Sequence, residues 1–184
     1  KNMHIFINSG NYLSHLRLIS LFILIFIGKS SFCQKPLPKE WFIVLNKNIV
    51  GKEFIFNKSI GESTDKTWLK YLGTVTTEKG ESYKILSTVW IWGISKRGTT
   101  KILLFDTKNK YIGNYALGMT YEAPIKVEKN SIVFVFPKSS GCNSKLIQTV
   151  NFNEGIPQTF FVEFKNSLGD IYSFDNHLLE KWCS

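Results

Sequence analysis

Histidine is scarce in this 184-residue chain: there are three, and after residue 33 only His177 remains. Zinc sites draw several His and Cys ligands from short spacings, and no such cluster occurs, so no metal or other cofactor is expected. A serine or cysteine nucleophile would have to take His177 as its base, in a terminal stretch where a solvent-facing role suffices. Arginine is rarer still, limited to Arg17 and Arg97. The formal charge is +9, but it is carried by lysines scattered singly through turns and strand ends. Proteins that read phosphates and bases favour forked guanidinium groups clustered on one face. Nucleic acid is therefore disfavoured as a partner, and weak attraction to an acidic surface is the more natural consequence of the charge. Neither a P-loop nor a dinucleotide fingerprint is present. Long apolar runs are also missing: residues 18–27 form the most continuous one, about half the length a membrane-spanning helix needs.

That run belongs to a segment unlike the rest. Residues 1–33 hold Lys1, Arg17 and Lys29 and no acid, then the apolar block, then Ser30, Ser31, Phe32 and Cys33. A basic start, a short apolar stretch and a small-residue exit are the parts of a secretory signal peptide, with Ser31 and Cys33 three and one positions before a cut at Gln34. Lys29 weakens the match. The alternative is a lipid on Cys33, although Phe32 stands where that pattern wants a small residue. Either way the protein is expected to be exported to a periplasmic, extracellular or cell-surface location, and to meet a membrane only through this segment or such a lipid. Cys142 and Cys183 then remain, an even pair in an oxidising compartment. The preferred expectation is a disulfide between them, worth roughly 4 kcal/mol on the chain-entropy estimate.

Beyond residue 33 the dominant pattern is short β-branched and aromatic runs broken by turn residues. Residues 83–117 are the centre of it, three runs separated at 93–100 and 106–110 that read as an antiparallel meander. Val89 and Ile91 alternate with Trp90 and Trp92, so both faces of that strand are apolar and a second layer must cover it. Residues 34–40 read as an extended leader, and WFIVL at 41–45 as either a buried strand or a helical turn begun after Pro38. Trp68, Leu69 and Leu72 lie at helical spacing, so a brief helix from Thr64 competes with a strand over 70–77. Residues 59–65 read as a loop. In the run 111–117, Tyr111 and Tyr115 fall on one face if the alternation is unbroken. Residues 175–182 suggest a short C-terminal helical turn. Eight to ten strands at about ten-residue spacing predict an all-β, antiparallel sandwich, a single domain over 41–184, with an up-and-down barrel as the alternative.

The positive functional signal is aromatic: 15 Phe, 7 Tyr and 5 Trp. Most serve a core, but Trp90, Trp92, Tyr111, Tyr115 and Tyr121, with Arg97 at the rim, are the candidates for a binding platform suited to sugar rings or a protein surface. The leading expectation is an exported, non-enzymatic binding or interaction module whose partner is a protein or a carbohydrate. One rival is a barrel carrying a small apolar ligand, with Trp90 and Trp92 pointing inward. The other is a glycoside hydrolase using two facing carboxylates, drawn from Glu78, Glu81, Asp106, Glu163 and Asp170.

Overall fold

A computed structural model of the protein describes residues 37–60 and 63–176. Cys33, Gln34, His177 and Cys183 lie outside the described residues, as do the proposed signal segment 1–33 and nearly all of the C-terminal turn expected over 175–182.

The described chain opens with helix α1, Lys39–Lys47. Glu40 in its first turn and Lys47 in its last complement the helix dipole. Asn48 ends it in the left-handed conformation, its N–H donating to the Val44 carbonyl at 3.2 Å. The WFIVL stretch is therefore helical, and the helix begins inside the leader predicted to be extended. Trp41, Val44 and Leu45 recur at helical spacing and turn one stripe towards the sheet.

Ten strands follow among the described residues: β1 Glu53–Ile60, β2 Ser63–Thr76, β3 Ser82–Trp92, β4 Arg97–Phe105, β5 Tyr111–Leu117, β6 Lys126–Glu128, β7 Ser131–Val135, β8 Ile147–Asn151, β9 Thr159–Lys165 and β10 Leu168–Asp175. The first five form a continuous meander, and β10 and β9 add to its β5 side. The result is a seven-stranded antiparallel sheet in the order β1-β2-β3-β4-β5-β10-β9. Strands β6, β7 and β8 make a separate three-stranded sheet. The predicted all-β sandwich is the fold. The large sheet is covered twice, on one face by the small sheet and on the other by α1, which is what its doubly apolar strands require.

The core between the sheets holds Ile85, Ile102, Leu104, Tyr115, Phe134, Phe152 and Phe160, and the core under α1 holds Leu69, Tyr71, Leu86, Leu103, Phe105 and Tyr111. Both are filled by large side chains. Among the described residues the strand ladders do not close into a barrel. The small sheet instead meets the edges of the large one through side chains: Asn130 Oδ1 accepts from the Thr76 N–H at 3.1 Å, and the Gln148 amide grips β9. Gln148 donates to the Glu163 carbonyl at 2.5 Å and accepts from the Glu163 N–H at 2.7 Å, doing with one side chain what a neighbouring strand would do with its backbone. Replacing Gln148 by Ala removes both bonds from this edge strand, leaving the Asn143 N–H on the Phe164 carbonyl at 2.7 Å. The expected result is a loss of about 2 kcal/mol in a denaturant titration, with faster amide exchange at Glu163; unchanged exchange there would refute the clamp.

Two bulges decide which layer each residue meets. In β2, Tyr71 pairs with Leu86 and Gly73 with Ile85, leaving Leu72 as the extra residue. Leu69 and Tyr71 therefore face α1 while Leu72 and Val75 face the small sheet. This is the origin of the helix-like spacing of Trp68, Leu69 and Leu72. The segment is strand throughout, beginning at Ser63 within the predicted loop. At the far end Asp175 closes β10, so the expected C-terminal helical turn does not begin there.

Candidate functional site

Cross-strand register places the candidate residues. Leu86 lies in the core beneath α1, so alternation puts Thr88, Trp90 and Trp92 on the same face of β3. Neither indole belongs to that core. Trp92 pairs with Arg97 on β4 and Trp90 with Thr99. The two rings stack with centroids 5.5 Å apart and planes 29° off parallel. The Arg97 guanidinium lies 5.8 Å from the centre of the Trp92 ring, within cation–π range. Trp92 Nε1 donates to Thr99 Oγ1 at 3.2 Å. Trp92 is thus held on three sides, whereas Trp90 keeps 42% of its surface in water.

The turn that carries this group is tied down. The buried Asp65 carboxylate on β2 accepts the Gly93 N–H at 3.2 Å, and Lys96 Nζ donates to the Thr64 carbonyl at 3.2 Å. The recognition geometry of Trp90, Trp92 and Arg97 is therefore set by strand pairing and two anchors on the neighbouring strand.

Tyr111 and Tyr115 do not join it. Leu104 pairs with Gly113 but Phe105 with Tyr111, so Ile112 is an extra residue and the two tyrosines fall on opposite faces. Tyr115 is wholly buried between the sheets, packed on Phe160 and Phe174 and donating to the Pro157 carbonyl. Tyr111 is buried beneath α1 against Trp41 and Phe105. Both are core residues. Burial raises both phenols above their ordinary value; at Tyr111 Asn114 partly offsets it and Asp175 adds to it.

Tyr121 lies in the 3-10 turn Thr120–Glu122, half-buried against the core between the sheets. Burial raises its phenol as well, helped by Cys142, Glu122 and Asp170 nearby. Thr120 packs so closely on Gly98 that a Cβ there would stand 2.5 Å from its methyl group. Gly98 alternates with Arg97, so this turn sits behind the sheet from the indoles, at the same end. Cys142 is half-buried in the neighbouring loop.

Three of the carboxylates weighed for hydrolysis are engaged in local hydrogen bonds. Asp106 Oδ1 accepts the N–H groups of Lys108 and Lys110, each at 2.8 Å, Glu163 Oε1 accepts the Ser167 N–H at 2.8 Å, and Glu81 accepts the Tyr83 hydroxyl at 2.8 Å. The acid with the most unusual setting is one that sequence reasoning passed over. Glu122 is 2% exposed, and one of its oxygens accepts both the Gly118 N–H and the Tyr172 hydroxyl, each at 2.7 Å. Its sequence signal was slight: a lone acid between Tyr121 and Ala123, four residues after a glycine.

Among the described residues no three His, Cys, Asp or Glu side chains converge as a metal site, and no helix is long and apolar enough to cross a membrane. No protein-family model matches the chain, and no curated protein or solved structure matches it.

Proposed function

We propose that the protein is exported and works as a non-enzymatic binding module whose recognition surface is the end of the large sheet bearing Trp90, Trp92 and Arg97. The observation that carries this reading is the stacked indole pair, left outside both cores and fixed in place by Arg97, Thr99 and the strand register. Aromatic rings presented rigidly lose little entropy when a partner covers them, which is why Trp and Arg recur as anchors of recognition surfaces. The export half rests on the pattern of residues 1–33.

The test is sedimentation of the full chain with cell-envelope fragments of its native host, compared with Trp90→Ala and Trp92→Ala. Trp90→Ala is expected to weaken binding at least tenfold, consistent with a central aromatic anchor, while its melting temperature stays close to that of the parent because Trp90 is exposed. Trp92→Ala is expected to weaken it further and to destabilise the hairpin. Equal binding by the parent and Trp90→Ala would remove the recognition surface from this end.

A further inference from the structure

The β3–β4 turn is one of three connections that meet at a single end of the sandwich. Leu117, the last residue of β5, pairs with Thr100 near the start of β4, and β10 runs antiparallel to β5 through the Phe174 and Tyr115 pair. The 118–123 connection and the start of β10 therefore reach the same end as residues 93–96. Each presents one large aliphatic side chain to water: Ile94 is 82% exposed, Met119 56% and Leu168 72%. A single exposed aliphatic residue is unremarkable on any surface. Three on separate connections, gathered at one end beside an exposed indole pair, form a pattern.

Among the described residues the charge at this end has one prevailing sign. Lys96, Arg97 and Lys165 are exposed beside the three tips. Asp65 and Glu122 are buried and already accept hydrogen bonds from Gly93, Gly118 and Tyr172, and Glu163 caps Ser167, leaving Asp170 as an exposed carboxylate against them. Aliphatic tips, indoles set just behind them and flanking cations match the successive layers of an anionic bilayer surface. Acyl chains take the tips, the headgroup zone takes the indoles, and lipid phosphates take the cations. A soluble polysaccharide would use the indoles and cations but would have no use for three dispersed aliphatic tips.

We propose that this end of the domain docks on the surface of an anionic lipid bilayer, inserting Ile94, Met119 and Leu168 and seating Trp90 and Trp92 at headgroup level. This rests on the reading of the same end as the recognition surface, and it is a contact separate from any made by residues 1–33.

The experiment is flotation of the full chain with vesicles of phosphatidylcholine alone and of phosphatidylcholine with roughly one-third phosphatidylglycerol. Residues 18–27 are present in every variant, so flotation is measured as a lipid titration below saturation, where their contribution cancels from the ratio of affinities. The parent is expected to bind the anionic vesicles more tightly. Ile94→Ser with Leu168→Ser should weaken that binding at least tenfold. Lys165→Ala, which removes an exposed charge that holds no part of the indole geometry, should weaken it roughly fivefold, and added salt should erase the difference. All these positions are exposed, and unchanged melting curves confirm that each variant is folded. Equal flotation of the parent and the Ile94 and Leu168 double variant overturns the docking proposal, as does equal binding to neutral and anionic vesicles. Envelope fragments stripped of lipid separate the two readings. If they still bind the parent more tightly than Trp90→Ala, the recognition surface stands and its lipid partner does not.

Discussion

Raising the pH above about 10, the ordinary tyrosine value, is expected to unfold this protein steeply, with tyrosinate absorbance appearing in step with the loss of structure. Three phenols are raised furthest above a free tyrosine: Tyr111 and Tyr115 through burial, and Tyr172 through burial reinforced by the Glu122 carboxylate it bonds; Tyr83 and Tyr121 are raised less. Below the unfolded value all three are protonated in both states, and their contribution to stability is fully present. Between the unfolded and folded values only the unfolded chain ionises, so the equilibrium shifts towards it by roughly tenfold per pH unit for each tyrosine. Three acting together give roughly a thousandfold per pH unit, about 4 kcal/mol, enough to exhaust a typical domain's stability within two or three units. Equilibrium denaturation at pH 8, 10 and 11, followed by absorbance near 295 nm and by circular dichroism, checks this. Tyrosines that titrate smoothly at the ordinary value, with stability flat across the range, would contradict the burial of these groups. Tyr115→Phe separates the contributions. It should make the alkaline slope shallower by about one third, because one of three phenols is gone.

Two of these tyrosines, Tyr111 and Tyr115, show what the sequence could and could not convey. Alternation along β3 and β4 was legible because each strand keeps strict register there, but the cover that the two-faced apolar pattern of Val89, Trp90, Ile91 and Trp92 demanded reaches only the Ile85 to Thr88 part of β3, and none of the four is buried. Residues 41–45 were ambiguous because five consecutive apolar residues fit a buried strand or a helical turn equally well; Asn48, which ends the helix, lies beyond the run. The bulges at Leu72 and Ile112 were invisible. Each inserts one residue without any glycine or proline at the extra position, and each reverses the faces of everything beyond it. That reversal turned a strand into an apparent helix at Trp68 to Leu72, and turned Tyr111 and Tyr115 from apparent neighbours on one face into residues of two different cores. The indole pair with Arg97 survived because it lies across β3 and β4, where no bulge intervenes. The gathering of Ile94, Met119 and Leu168 depends on β10 pairing with β5 across some fifty intervening residues, which periodicity cannot reveal.

Replacing Glu122 by leucine is expected to lower stability by about 3 to 5 kcal/mol, more than the change in side-chain size would suggest. The carboxylate accepts from two donors on different parts of the chain: the Gly118 N–H, just past β5, and the Tyr172 hydroxyl on β10. The approach is close: a Cβ at position 118 would stand 3.2 Å from the carboxylate, tighter than an ordinary van der Waals contact. A leucine would leave both donors without this acceptor, and each stranded polar group costs about 1 to 3 kcal/mol. Glu122→Gln keeps an acceptor of the same shape and should cost only about 1 kcal/mol, since what it removes is the strengthening that an ionised acceptor gives. Tyr172→Phe combined with Glu122→Gln should then add less than it does in the parent, a coupling that a double-mutant cycle reads directly. Amide exchange at Gly118 adds a local readout, faster in the leucine variant and nearly unchanged in the glutamine one. Because Glu122 anchors the turn that carries Met119 and packs on Gly98, the leucine variant should also bind the envelope less well than its melting temperature alone implies. Equal stability of the leucine and glutamine variants would mean that the carboxylate holds nothing in place.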